Sequence, residues 1–579
     1  MSVSEQIKSN FPFENFRDNQ YDIIDHMVTN LKDADNYILE ASTGTGKSVI
    51  AYTAAKTILE NMESKKSDSD SKLECFDCED DDETSVKKKQ PKIIFCTLTK
   101  QLQNQYIDSF KSQKDTSFIW SARNYKCSYH LDSNNTPEAV YYGSPGCQGK
   151  KCPMFSSCEF ILQKKEFYTH NIGIVNYHYF LHNCKLTADI VVFDECQEIE
   201  NILADIATVT ISSAKLIKFT NCLTRFKSIK VPNNSQFLNQ IQDLSNNKGS
   251  TIDEIKSYIK KFITTYTPIV LEATNELNKE LESNNKFDPK LIKIGKIIDN
   301  LSNHIDKYST FLKSNTEWVV SHRELDIDNY KIVIKPLDVY EFFHSTISSK
   351  CKKMIFMSAT ICGKDVFSSN LGLTNYVYNE VSAVIPVQNR QVYFINNIGS
   401  LNFRNKEKVL PNFVKVIDHI IGYHRKHDKS VNGVIHSVSY ANAEFIKKHS
   451  KYKKDIIIPT AHQKNNIPKL VKSGNKILVS PSMMAGIDLY DNLSRFQILL
   501  KVPYLNLGDV WIKTKMQLNN MWYTRNAVIN IIQCSGRSIR SVEDYANTYI
   551  LDGNFNRLLN QNKVLFPNYY LDAIQSVQF

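Results

Sequence analysis

Short continuous apolar runs alternate with longer stretches of helical spacing at the start of the chain. NYILEAS precedes a glycine-rich turn, SVIAYTAAKTILENM follows it, and KIIFCTL leads into a polar helix start. Apolar runs bounded by turn residues mark strands buried on both faces, and their alternation with helices predicts a parallel α/β sheet. The same signature returns at ADIVVFDE (188–195) and KMIFMSAT (353–360), and GVIHSVS, KILVSPS and RFQILLKVP supply strands for a second α/β unit. From about Ile206 to Asn315 the pattern changes to long amphipathic segments such as TIDEIKSYIKKFITTYTPIVLEATNELNKELES, which predict a helical insertion. Lys65 to Lys89 is rich in Ser and charge with few aliphatic residues, the composition of a solvated loop. No repeat of fixed period is present.

At 579 residues the chain is long enough for several domains, and 42% hydrophobic with 23% charged residues excludes wholesale disorder. The N-terminus lacks the basic and apolar regions of a secretory signal, and no apolar run is long enough to span a membrane, so a soluble intracellular protein is expected. A net charge of +10 favours polyanionic partners. Thirteen cysteines in a reducing compartment point to metal ligation or burial instead of disulfides.

Two motifs carry phosphate chemistry. Ala41-Ser42-Thr43-Gly44-Thr45-Gly46-Lys47-Ser48 joins an apolar strand to a helix, the setting of a Walker A loop. Gly44 and Gly46 let backbone N–H groups turn toward phosphate, Lys47 neutralises its charge, and Ser48 offers a hydroxyl to Mg²⁺. Ala41 stands where the strict pattern has its first glycine. Asp194 and Glu195 end the apolar strand ADIVV, where open parallel sheets collect ligands. Asp194 would hold Mg²⁺ and Glu195 would orient or deprotonate the attacking water.

ASTGTGKS, DECQ, MSAT, SPSMMAGIDL and QCSGRSIR occur in superfamily 2 helicase order, and the last two with their flanks resemble the XPD/DinG branch. The resemblance implies two RecA-like parallel-sheet motor domains that close on ATP. Arg537 and Arg540 would reach the γ-phosphate, sharing one helix face at i, i+3, and Gln533, one turn back, would hold water or phosphate. Gly486 and Asp488 would touch nucleotide and nucleic-acid backbone, while Ser358 and Thr360 would couple the two. Phe16, Arg17 and Gln20 resemble the adenine-side motif, with Phe16 stacking and Gln20 reading the base edge. Gln197 departs from the family's Asp-Glu-Ala-His; it hydrogen-bonds but does not titrate, which bears on coupling more than on metal or water handling. Thr97, Thr99, Lys100 and Gln101, with His436, Ser437 and Ser439, occupy strand-gripping positions.

Cys127, Cys147, Cys152 and Cys158 lie in a Gly/Pro-rich stretch, and four thiolates suit either a tetrahedral zinc site or an iron-sulfur cubane. Their spacing and location resemble the DinG-type insertion, which implies a 4Fe-4S cluster with zinc as the alternative. Cys75 and Cys78 fall in the charged loop and read as incidental; Cys96, Cys184, Cys222, Cys351, Cys362 and Cys534 read mostly as core residues.

The expected partition is 1–118, 169–205 and 326–385 for the first motor domain, 119–168 for the iron-sulfur insertion, 206–325 for a helical arch and 386–579 for the second motor domain. The implied activity is that of an ATP-dependent helicase moving 5' to 3' on single-stranded DNA and opening duplex, as a monomer without membrane partners. The alternatives are an RNA or RNA–DNA hybrid helicase and a non-hydrolysing nucleic-acid clamp.

Overall fold

The computed structural model describes all residues except 65–89, 126, 128–140, 143–146, 148–151, 248–250, 284–288, 327–328, 403, 461–462, 464–465, 482–488, 490 and 540. The charged loop with Cys75 and Cys78, and the expected site residues Gly486, Asp488 and Arg540, lie outside the described residues.

In chain order the strands are β1 Asn36–Ala41, β2 Ile93–Thr97, β3 Thr116–Phe118, β4 Ile172–Asn176 and β5 Ala188–Asp194. An inserted trio follows, β6 Val209–Ser212, β7 Trp318–Asp326 and β8 Asn329–Pro336, before β9 Cys351–Ser358 and β10 Tyr376–Val381 return. The C-terminal part holds β11 Val392–Ile395, β12 Gly433–His436, β13 Ile456–Ile457, β14 Ile477–Ser480, β15 Phe496–Leu499, β16 Asn547–Ile550 and β17 Ile574–Val577.

Two seven-stranded sheets result, ordered β10-β1-β9-β5-β2-β4-β3 and β13-β14-β12-β15-β16-β11-β17. Every pairing in both is parallel, as the unbroken apolar runs require. Successive side chains point to opposite faces, and both faces of the first sheet are buried. Ile38, Ile94, Val191, Phe193 and Phe356 pack on one side, whereas Tyr37, Leu39, Ile93, Phe95, Val192 and Ile355 pack on the other with the helices Gln20–Asn30 and Lys47–Ser64. The α/β class expected from the apolar pattern is therefore the observed one.

Strand order explains why distant motifs meet. β1 leads into the phosphate loop, β5 ends in the acidic pair, and β9, which ends at Ser358, lies between them. The register pairs Glu40 with Ser358 and Asp194 with Met357, so three carboxyl ends fall on one edge.

The insertion after β5 carries the helices Ser213–Leu223, Ser235–Asn246, Ile252–Ser283 and Pro289–Lys313. Its interior is aromatic: Phe262 packs on Tyr266 at 4.5 Å between ring centroids and edge-on to Tyr308 at 5.3 Å. Reading this unit as purely helical with an end at 325 requires correction. β6, β8 and β7 form an antiparallel sheet, and residue 325 falls inside β7, so the inserted unit runs on to Pro336. Charged residues crowd the end of Trp318–Asp326, and its pairing shifts register between Val320 and His322, so no clean alternation announces the strand. The insertion shares its core with one face of the first sheet and with Trp511 and Trp522 of the second motor domain.

Phe193, fully buried one residue before the acidic pair, stacks on Phe356 with ring centroids 5.3 Å apart and lies 5.8 Å from Tyr177. Phe193→Ala is expected to destabilise the first motor domain by about 3–5 kcal/mol. Urea unfolding followed by circular dichroism would show this as an earlier first transition.

Candidate active site

The phosphate loop is shaped by backbone that only glycine adopts freely. Gly44 and Gly46 have φ of +89° and +81°, and the helix Lys47–Ser64 begins directly after them, with Lys47 and Ser48 lining the cleft. Ala41 remains in extended backbone at the end of β1, paired with Val381, so the missing first glycine requires no left-handed residue there. Lys47 Nζ donates to Ala41 O at 2.9 Å and Ser42 O at 3.3 Å.

Gln20 supports this loop from beneath. It is buried, donates from Nε2 to Thr45 O at 3.0 Å, and accepts the Arg17 N–H at 2.9 Å. A Cβ added to Gly46 would lie 2.4 Å from that Nε2. Phe16 packs on Phe11 with ring centroids 3.9 Å apart, and Arg17 lines the cleft.

Across the cleft Asp194 is buried, with Oδ1 accepting the Glu195 N–H at 3.0 Å and Oδ2 accepting the Tyr106 hydroxyl at 2.9 Å. Burial, with the neighbouring Glu195 carboxylate, raises its pKa above the usual range despite Lys47. A buried carboxylate so destabilised as an anion, lining one cleft with the Ser48 hydroxyl, is chemically fitted to a hard divalent cation. Glu195 has φ +54°, a left-handed conformation rare for a residue with a side chain.

From Glu195 a hydrogen-bonded relay crosses to the second motor domain. Gln197 Nε2 donates to Glu195 Oε2 at 2.8 Å, and Ser358 Oγ donates to Gln197 Oε1 at 2.5 Å. Ser358 Oγ accepts the Thr360 N–H at 2.8 Å, and Gln533 Nε2 reaches Thr360 Oγ1 at 3.5 Å. Gln533 lies in the last turn of the helix Asn520–Ser535. The helix stops there: Gly536 N–H folds back onto the Ile532 and Cys534 carbonyls. Arg537 therefore sits in the turn beyond the helix, and Arg540 lies outside the described residues. A Cβ on Gly536 would lie 3.7 Å from Thr43 Oγ1, so this turn meets the phosphate loop directly. Arg537 lines the same cleft, of about 860 Å³, and its Nε is buried with no hydrogen-bond partner among the described residues.

Residues 420–570, which include this helix and turn, match the helicase C-terminal domain family. The ATP-dependent DNA helicase YoaA of Escherichia coli (strain K12) is 21% identical over 460 residues, spanning 71% of this chain and 68% of that protein. Two solved XPD structures, a helicase and an apo form, superpose with TM-scores of 0.60 and 0.52 at 15% and 14% identity. They cover 98% and 97% of this chain, and 100% of each XPD chain is matched. The chain therefore has the fold of the XPD structures, and its C-terminal part resembles a helicase C-terminal domain.

The expected strand-gripping residues divide. Thr97 is buried and donates to Val175 O at 3.2 Å, whereas Thr99 caps the helix Lys100–Phe110. Lys100 is exposed over the Trp120 ring, 4.9 Å from its centroid, and Gln101 faces the nucleotide cleft. His436 and Ser437 are buried, and burial lowers the His436 pKa to about 4, so it is a neutral packing residue. Ser439 caps the helix Tyr440–His449, leaving Val438 and Tyr440 as the exposed side chains of that turn. Sequence reasoning missed Tyr106 and Tyr177, whose hydroxyls bond Asp194 side chain and backbone, because an isolated Tyr carries no motif.

Cys127, Cys147, Cys152 and Cys158 are half-buried and free of disulfides. Among the described residues no three His, Cys, Asp or Glu converge as a metal-holding group. The thiol donors suit a cluster or zinc in kind, but the described arrangement does not assemble the site. Cys96, Cys222, Cys362 and Cys534 are buried as expected, while Cys184 is exposed.

Glu40, buried on β1 just before the phosphate loop, accepts the Cys362 N–H at 2.9 Å and the Tyr378 hydroxyl at 2.6 Å. Burial pushes its pKa from 4.5 up to about 7, against those two hydrogen bonds and with help from Glu380. The folded chain keeps a proton that the unfolded chain releases, so this contribution to stability is lost as pH rises from 4.5 through about 7. Glu40→Gln should flatten that slope in melts taken between pH 4.5 and 8, and should stabilise the domain at pH 8 by up to roughly 3 kcal/mol.

Proposed function

We propose that the chain is an ATP-dependent DNA helicase in which hydrolysis in the cleft between the two motor domains drives movement along single-stranded DNA and opening of duplex. The relay from Glu195 through Gln197, Ser358 and Thr360 to Gln533 carries this reading, because it joins the water-activating residue of one domain to the arginine turn of the other. The related YoaA is an ATP-dependent DNA helicase, which supports DNA as the substrate.

Triphosphate would lie on the phosphate loop, with Lys47 leaving the Ala41 and Ser42 carbonyls to meet the β- and γ-phosphates. Ser48 and Asp194 would hold Mg²⁺, which would offset the negative charge of the phosphates. Glu195 orients the attacking water and takes its proton. Gln533 and Arg537 meet the γ-phosphate from the opposite wall, where guanidinium stabilises the charge of the transferring group. Gln197 passes the state of the site to Ser358 by hydrogen bonding alone, without a proton change. Arg540, Gly486 and Asp488 keep the roles implied by the resemblance, as does 5' to 3' movement. The four cysteines bind a 4Fe-4S cluster in this proposal, with zinc as the alternative occupant.

Turnover should be stimulated by single-stranded DNA and fall at least a hundredfold in Glu195→Gln, which loses the general base. Stimulation by RNA and not DNA would shift the substrate, and unchanged turnover in the variant would remove Glu195 from its role. A folded wild-type protein without turnover would favour the clamp.

Protein purified without oxygen should show the broad visible absorbance of a thiolate-held cluster, lost in Cys152→Ser. Colourless protein carrying one zinc in its place would discard the cluster and leave the motor reading intact.

A further inference from the structure

A second link between the motor domains lies away from the nucleotide cleft. Glu200 occupies the first turn of the helix Ile199–Ala207, directly after the acidic motif. Lys515 lies in the helix Val510–Leu518 of the second motor domain. Their side chains form an ion pair and are only 9% and 8% exposed. Asn370 Nδ2 donates to the other Glu200 oxygen at 2.9 Å. The Lys515 ammonium also lies 5.0 Å and 4.5 Å from the ring centroids of Trp511 and Trp522. The Trp511 indole N–H in turn donates to the carbonyl of Pro336, at the root of the inserted unit, at 2.7 Å.

An ion pair this enclosed adds little net stability, because desolvation offsets the attraction; its use is to fix how two surfaces meet. The surface being fixed is one face of the helix Asn520–Ser535. Trp522, Arg525, Ile529 and Gln533 recur at helical spacing on it. Trp522 lies against Lys515, Arg525 Nε donates to Ile361 O at 2.8 Å, and Gln533 reaches Thr360. From Trp522 to Gln533 the helix runs about 16 Å, a rigid arm between the ion pair and the cleft.

We propose that Lys515 and Glu200 are positioning residues that latch this arm to the acidic motif's helix. The latch sets the angle at which Gln533 and Arg537 face the phosphate loop before nucleotide arrives, and ties the root of the inserted unit to the same point. The functional half of this inference rests on the cleft being an ATPase site.

The test uses the full chain as wild type, Lys515→Met, Lys515→Arg and Glu200→Gln. Fluorophores are placed as non-canonical amino acids at the exposed positions Lys111 and Glu543, one on each motor domain. Single-molecule energy transfer without nucleotide should give one narrow distance distribution in wild type and Lys515→Arg, and a broad one in Lys515→Met and Glu200→Gln. Steady-state turnover per folded molecule should show kcat reduced about tenfold in Lys515→Met, since small misplacement of a catalytic group carries a cost of that order. The KM for ATP should stay within about twofold, because the phosphate loop belongs to the first domain alone. Lys515→Arg, which keeps a cation between the tryptophans, should restore kcat. An unchanged distance distribution in Lys515→Met, or a loss that Lys515→Arg does not repair, overturns the latch. Broadened distances in Lys515→Met together with a wild type that hydrolyses no ATP would leave the latch standing and overturn the ATPase reading instead.

Discussion

The hydrogen bonds that leave the first motor domain at Glu195 and arrive in the second at Gln533 hold the two halves of the cleft in one arrangement. Their direction is set by Gln197, whose amide donates to Glu195 and accepts from Ser358. A histidine at that position would change its donors with pH, whereas the amide has no proton to gain or lose in that range. Glu195 itself is held at φ +54°, a conformation that costs on the order of 1 kcal/mol or more, and the bond from its N–H to Asp194 Oδ1 helps maintain it. The strain aims the carboxylate toward the relay.

Around that relay the cleft contains two charges in unfavourable settings. Asp194 is a buried carboxylate beside a second carboxylate, and Arg537 has a guanidinium nitrogen buried without an acceptor among the described residues. One asks for a cation and the other for an anion, with a loop of N–H groups at the start of a helix between them. A metal-bound triphosphate would satisfy all three together. The parallel sheet makes this possible, because β1, β9 and β5 lie side by side and deliver their carboxyl ends to one edge.

The two motor domains meet through polar groups as well as apolar ones. Tyr569 donates to Ala359 O at 2.6 Å, Asn568 N–H bonds Glu380, and Arg525 is almost wholly buried against Ile361 and Phe367. Such contacts demand particular geometry, so they define an orientation where greasy surfaces alone would permit sliding. An interface built this way fixes one orientation of the two domains.

The sequence by itself determined the elements whose physics is local. The strands ending at Ala41, Thr97, Asp194 and Ser358 follow from short apolar runs, and the phosphate loop from two glycines placed between strand and helix. The acidic pair was legible because it ends such a run. Tertiary structure alone decided how these parts are held and which expected residues stay accessible. Gln20 braces the phosphate loop 25 residues further on, Tyr106 bonds Asp194 across 88, and Lys515 meets Glu200 across 315. His436 and Ser437 are buried under the second sheet's connections, and Arg537 lies beyond a helix that ends at Ser535. Burial and hydrogen bonding between remote segments depend on how two sheets and an insertion pack, and no local pattern of residues encodes which partner each side chain will find.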